Sequence, residues 1–535
     1  MLILGALCAD PSWGSAASET RIAVRDVLSA GGVPDGKTLN TAVFNRLIQE
    51  ASAAGGGTVN VPPGTYLTGT IELKSHVTLH LENGAVILGS TDIKDYPPIA
   101  PPRPSDSLEY GRFSLIYADG QSDIAITGQG KINGQGSHAN FTKKDLIARG
   151  WSAGDAYRKR PYGLYFARCR HVEVRDITLE NIAFWSQDYL DDDDVSVLGV
   201  TVDSKKIDYN NDGIDIDGSR NVRVSDSHFN VGDDAICLKA SYRDSENIVV
   251  TNCTASSLAN GVKFGTASNG GFKNISISNL ILDGIGGAGI ALEIVDGGTM
   301  DGVSISNISM RDVRSAIFIR LGDMARRWTA DVAKLSIGII RNVSIDNVVA
   351  AVNGPDIYPP ACSITGLPQH PVENISLSNI MITTSRDEKK NEAEILLANI
   401  KEHAADYPEN SMFGPLPAYG FYIRHARDLA LRNVDVRFEK EDHRSALVLD
   451  DVAEVEIDGL KARALPDGKP VVVLHDVTSA VIRGAVARES TPTFLRVEGR
   501  SDDIILFGSD LARARTPVSR DEHLPATAVL VGGGR

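Results

Sequence analysis

Asp212, Asp233 and Asp234 are the residues of this 535-residue chain whose type and spacing point most directly to chemistry. They sit in Asn210-Asn211-Asp212-Gly213-Ile214-Asp215-Ile216-Asp217-Gly218 and in Gly232-Asp233-Asp234-Ala235-Ile236-Cys237-Leu238-Lys239. Laid over each other, the two stretches put Asp212 on Asp234, Ile214 on Ile236, Ile216 on Leu238 and Asp217 on Lys239. Carboxylates brought that close repel, so at least one is driven to keep its proton. A proton donor beside an ionised base is what hydrolysis of a glycosidic bond requires. A lone Asp-Asp pair reads more readily as a solvated corner or a calcium ligand. Recurrence in register with a third carboxylate favours paired catalytic acids instead.

The elements that must hold these groups are strands. Ile214 and Ile216 alternate with Asp215 and Asp217, as Ile236 and Leu238 do with Cys237 and Lys239. Alternate side chains of a strand face opposite ways, so the apolar set turns inward. The register continues through Asn260-Gly261-Val262-Lys263-Phe264-Gly265, Ala288-Gly289-Ile290-Ala291-Leu292-Glu293 and Ser315-Ala316-Ile317-Phe318-Ile319-Arg320. One buried stripe per unit of 20 to 50 residues marks a solenoid, and short β-branched runs between Gly/Asn corners make it a β-solenoid. Rungs then lie about 4.8 Å apart. One outward column reads Asp215, Cys237, Lys263, Ala291, Phe318, and the next Asp217, Lys239, Gly265, Glu293, Arg320. Asp217–Lys239 and Glu293–Arg320 are expected to pair across an exposed face, where ion pairs contribute little. Lys239 is placed to tune the carboxylates, and Lys263 to touch a substrate carboxylate or hydroxyl. Trp185, Tyr189, Tyr209, Phe318 and Trp328 fall at coil ends near the cluster, where aromatic faces stack on sugars. Asp191 to Asp194 reads as a solvated turn rather than a calcium site.

Asn211-Asp212-Gly-Ile-Asp, Gly232-Asp233-Asp234 and Lys239 resemble the signature of the polygalacturonase family, glycoside hydrolase family 28. The resemblance runs from about residue 25 to 385. It implies a right-handed parallel β-helix that hydrolyses pectic polysaccharides with inversion. It also implies Asp233 as general acid, with Asp212 and Asp234 positioning and deprotonating the water. Asn260-Gly261 stands where the family has His-Gly, and Ala291-Leu292-Glu293 where its Arg-Ile-Lys clamp grips a galacturonate carboxylate. Weak action on plain polygalacturonate is therefore expected, with rhamnogalacturonan or other side-chain linkages preferred. Lys239, Asn260, Lys263, Glu293, Arg320 and Trp328 are the expected substrate-binding residues. A polysaccharide lyase on the same fold class and a glycan-binding β-helix without catalysis are the alternatives. No metal and no cofactor are expected.

Residues 1–18 start with an apolar run, Leu2 to Leu7, followed by Gly14-Ser15-Ala16-Ala17, the pattern of the end of a secretory signal. A secreted or periplasmic protein is expected. Residues 19–75 read as a cap and first coil, with an amphipathic helix from Thr41 to Ala54 whose apolar positions are Val43, Leu47, Ile48 and Ala51. A cap covers the open end of a solenoid. Residues 76–512 read as coils, with rim inserts at 96–117, which carries five Pro, 138–160, 351–371 and 385–421. Residues 513–535 read as a loosely ordered tail. Asn252, Asn279, Asn307 and Asn347 recur at one corner, where Asn tolerates a left-handed backbone and bonds along the stack. Only 6% of residues are aromatic and 50 are Gly, which suits thin coils. A net charge of −15 makes nucleic acid and anionic membrane poor partners. No later apolar run is long enough to span a bilayer. The five Cys show no zinc-like spacing and read as buried thiols rather than a disulfide framework. A monomer acting on a poly- or oligosaccharide is expected.

Overall fold

Stacking the Ile/Val/Leu stripes of successive coils is what closes the chain into a tube. Ile214, Ile236, Val262, Ile290 and Ile317 are register partners in turn, and all are fully buried. The computed structural model describes residues 23–532 except 100–104, 107–112, 138, 155–158, 205–208, 328–335, 354–360 and 386–391. Within them every strand ladder is parallel, and each strand pairs with its equivalents one coil before and after. The architecture is the all-β, right-handed parallel β-helix expected. The strands that matter most here are β1 (Gln187–Leu190), β2 (Ile214–Asp217), β3 (Ile236–Ala240), β4 (Val262–Ser268), β5 (Phe272–Ile294) and β6 (Thr299–Leu321).

Corners are held by side-chain amides. Asn279, Asn307 and Asn347 each donate to the Oδ1 of the preceding Asn, at 3.2, 3.0 and 2.8 Å, and all four Asn have a left-handed backbone. A second ladder, unread in the sequence, links Asn221, Asn247 and Asn274 at 3.1 and 2.7 Å. The four-carboxylate corner is also structural. Asp191 lies 2.6 Å from Arg243, Asp192 accepts from the Cys169 N–H, and Asp193 and Asp194 take Asn221 and Arg223.

At the N-terminal end, α1 (Thr41–Ala53) rests on the first coil and buries Phe44, Leu47, Ile48 and Ala51. Phe44, edge-on to Tyr66, adds to the expected face, and Val43 packs half-buried against the core beside it. Residues 514–532 differ from the sequence reading. Ala514–Arg520 and Val529–Gly532 pair in parallel with the preceding coils and complete the tube. Their own pattern is weak, and cross-strand pairing rather than local propensity makes them strands. The insert at 96–117 ends earlier than expected, since the strand Ser114–Asp119 is already a coil. The one at 138–160 holds a short helix, α2 (Lys143–Ala148), capped by Thr142. Cys169, Cys237, Cys253 and Cys362 are free and buried. No described helix is long and apolar enough to cross a membrane. Residues 1–18 and Trp328 lie outside the described residues.

Candidate active site

The three carboxylates stand on corners that lead into β2 and β3. These strands pair Ile214 with Ile236 and Asp217 with Lys239, the register read from the sequence. Gly213 is required here, because a Cβ on it would meet the Ala235 carbonyl oxygen at 2.4 Å. The corner before Asp212 is anchored from beneath. The Asn211 side-chain amide donates to the carbonyls of Ile182 and Phe184 at 2.7 and 3.1 Å, and Arg160 donates to the Tyr209 carbonyl and the Asn210 side chain. Asp233 accepts from the Asn210 N–H of the preceding corner at 2.7 Å and from the Asp234 N–H of its own corner at 2.9 Å. Its side chain is the most open of the three.

Neighbours split the three electrostatically. Burial, then the charges of Asp215, Asp233 and Asp234, pushes Asp212 well above the ordinary carboxylate range. Burial and the adjacent Asp234 also push Asp233 up. Burial alone would raise Asp234 too, yet Lys263, Lys239 and the Asn260 amide hold it below the ordinary range. Lys263 Nζ lies 3.1 Å from Asp234 Oδ2. The Asn260 N–H and side-chain amide both donate to Oδ1, at 3.1 and 2.8 Å. Oxygens of Asp212 and Asp234 lie within 4.8 Å of each other, so one water can bridge them. The site thus sets a half-buried carboxyl with a raised proton affinity, Asp233, beside one whose neighbours favour the ionised form, Asp234.

The columns form as read, with corrections. Asp215, Cys237, Lys263, Ala291 and Phe318 are register partners in turn. The face they share is not exposed, since every member is at most 4% accessible. In the second column the register shifts after Leu238, so Gly265 does not oppose Lys239. Neither expected ion pair forms. Lys239 turns instead to Asp106 at 3.3 Å and Asp215 at 3.6 Å, over the Trp185 ring at 4.6 Å, while Asp217 accepts from the N–H and hydroxyl of Ser241. Arg320 donates to Thr365 and to the carbonyls of Gly366 and Glu402. Glu293 is left 1% exposed, its Oε2 without a hydrogen bond, and burial pushes its carboxyl up to about 8. Among the aromatics, Tyr189 is a core residue, Phe318 is buried on the outward column beneath Met412 and Phe413, Tyr209 is exposed, and Trp185 lies beneath Lys239.

Three participants were not singled out from the sequence. Asp106 comes from the proline-rich insert, and Tyr407 and Glu409 from the charged insert before residue 421. No periodicity links them to the coils they cover, so only the folded chain brings them in. Asp212, Asp234 and Cys237 offer ligand atoms with metal-like spacing. The donor set does not suit a cation. The Lys263 ammonium already sits against Asp234, and burial keeps the Cys237 thiol protonated, 3.4 Å from the Gly265 carbonyl oxygen.

A family model described as "Glycosyl hydrolases family 28" matches residues 52–404, about two thirds of the chain. The chain belongs to this family. It is a glycoside hydrolase, and the carboxylate corners lie inside the matched region. It is 26% identical over 378 residues to a "Probable polygalacturonase" of Vitis vinifera, covering 67% of this chain and 74% of that protein. It is 27% identical over 258 residues to an "Exo-poly-alpha-D-galacturonosidase" of Dickeya chrysanthemi, covering 41% of this chain and 42% of that protein. An exopolygalacturonase structure from Thermotoga maritima superposes with a TM-score of 0.56 at 23% identity, covering 68% of this chain and 89% of that one. At that identity the superposition speaks to the fold. The family 28 match ends at residue 404, inside the insert that lies over the coils, so the coils from residue 418 onward extend beyond it.

Proposed function

We propose that this family 28 hydrolase cleaves glycosidic bonds of a pectic-type polysaccharide or its oligosaccharides with inversion. Asp233, protonated and open, donates to the leaving glycosidic oxygen. Asp234, ionised, takes the proton of a water that Asp212 helps to position, and that water attacks from the opposite face of the ring. The observation carrying this reading is that Lys263 and Asn260, on the next coil, contact Asp234 and not Asp233, and so favour ionisation of the one carboxylate beside its raised neighbour.

The position of a uronate clamp holds Ala291, fully buried, and Glu293. Lys239 and Lys263, the lysines of the site, are each committed to carboxylates. A galacturonate carboxylate placed there meets acidic groups, which supports neutral-sugar linkages such as those of rhamnogalacturonan over plain polygalacturonate. We read the protein as secreted or periplasmic and active as a monomer. Incubating the wild type and Asp233→Asn with a panel of pectic fractions, and reading products by mass, tests the proposal. Hydrolysis products from the wild type alone are expected. Unsaturated products, the mark of a lyase, or equal activity of both proteins would refute it.

A further inference from the structure

The coils after residue 418 carry an arginine column that the hydrolase reading does not use. Ile382, Val436, Ala462 and Ala487 are register partners in turn, and all are buried. The residues that follow them, Thr383, Arg437, Arg463 and Arg488, therefore point outward in one column. All four line a cavity of about 800 Å³, and Arg513 joins them from the next coil. We propose that this cavity is a non-catalytic site that grips the carboxylates of a uronate-bearing glycan.

On earlier coils the same ladder position carries opposite charges, with Asp283 paired to Arg311. Here arginines stand on three successive rungs, about 4.8 Å apart, where like charges repel. The protein supplies few counter-charges. Asp435 serves two of the arginines, accepting from Arg437 Nε at 2.9 Å and from Arg488 Nη2 at 3.2 Å. Arg463 makes no ion pair among the described residues. Its Nη1 donates to the Phe438 carbonyl at 2.8 Å, and its guanidinium lies over the Phe438 ring at 4.8 Å. Those contacts orient the fork and leave its other N–H groups for a ligand. Arg513 has neither a hydrogen bond nor an ion pair among the described residues. Glu439 and Glu489 line the cavity without pairing to any of these arginines.

A guanidinium takes a carboxylate through two parallel N–H bonds. A uronic acid residue offers its carboxylate to the arginines, its hydroxyls to Glu439 and Glu489, and an apolar ring face to Leu465 and Pro466 on the cavity wall. The volume lies within the roughly 300–1,000 Å³ of small-ligand sites. The position suits a polymer that is cut elsewhere on the tube. Asn230, three residues before Asp233, holds the ladder position of Arg437, six rungs or about 29 Å away. The catalytic corner has no uronate clamp, and this column supplies the grip on uronates that the corner lacks.

The test is affinity electrophoresis of the full chain through gels holding polygalacturonate, its neutral methyl ester or dextran sulfate, with calorimetric titration for affinity. Wild type and Asp233→Asn should be retarded equally by polygalacturonate, less by dextran sulfate and not by the ester, and salt should weaken the effect. Arg463→Ala combined with Arg513→Ala should bind polygalacturonate about tenfold more weakly or worse, while cleavage of a short oligosaccharide is unchanged. Both side chains are exposed and without ion pairs, so the fold should hold, as circular dichroism can check. Glu439→Gln combined with Glu489→Gln should bind polygalacturonate more tightly, because two repelling charges are gone. An unretarded wild type, an arginine variant retarded as strongly as the wild type, or dextran sulfate bound as well as polygalacturonate would overturn the proposal. A wild type that is retarded but cleaves no pectic fraction would overturn the hydrolase reading and leave this site standing.

Discussion

Replacing Lys263 by Met should move the acidic limb of the pH–rate profile upward. The ammonium stands 3.1 Å from Asp234 Oδ2, and both side chains are nearly inaccessible. At an effective dielectric constant of about 20, that separation corresponds to about 5 kcal/mol of attraction, an upper bound equal to roughly 4 pH units. The Asn260 amide keeps its bonds to Oδ1 and water enters beside the Met, so a shift of about 1 to 3 units is expected. The sign follows from the role of Asp234. The base must be ionised, so activity rises as pH passes through its pKa, and removing the cation raises that pKa. The assay is kcat/KM between pH 4 and 8 on the fraction the wild type cleaves, with Lys263→Arg as a charge-preserving control. Loss of a buried ion partner also costs about 3–5 kcal/mol of stability, so folding is checked by circular dichroism at each pH. A profile merely scaled down, with its acidic limb unmoved, would show that Lys263 does not keep Asp234 ionised.

Asp233→Asn should lower kcat by about 10²–10⁴-fold while substrate still binds, and Asp212→Asn and Asp234→Asn should each cripple turnover, all read from initial rates and titration binding. Glu293 carries a folded-state pKa of about 8 against an ordinary value of 4.5, so the unfolded chain ionises first and stability falls as pH rises between those values. Glu293→Gln should therefore gain on the wild type by up to about 3 kcal/mol from pH 4.5 to pH 7, measured by denaturant unfolding, and a pH-independent difference would contradict the buried neutral acid. Activity should survive excess chelator, because Lys263 already holds the cation position beside Asp234. Release of reducing ends from plain polygalacturonate should be weak next to that from rhamnogalacturonan, and the reverse order would mean that other cations serve as the clamp.

The coils, the stacking of Asp212 on Asp234 and the Asn252–Asn347 ladder were legible because each repeats, and a repeat with a buried stripe admits one register. The pairings of Lys239 and Arg320 were not. Their partners, Asp106 and the Glu402 carbonyl, come from inserts that carry no period. The same inserts bury a face that reads as solvent-exposed from alternation alone. Strand alternation tells which side chains leave the core, but not what later folds over them. The terminal coils were missed for the related reason that Ala514–Arg520 is a strand only by virtue of the neighbour it pairs with.

The account stands most directly on the stereochemistry of the first product. Proton NMR of the anomeric signal during the first turnovers should show the configuration opposite to that of the bond cleaved, as expected when Asp234 delivers a water across the ring from Asp233. A product that keeps the substrate's configuration would mean that a carboxylate attacks the sugar directly, and would contradict the assignment of Asp212 and Asp234 to the water.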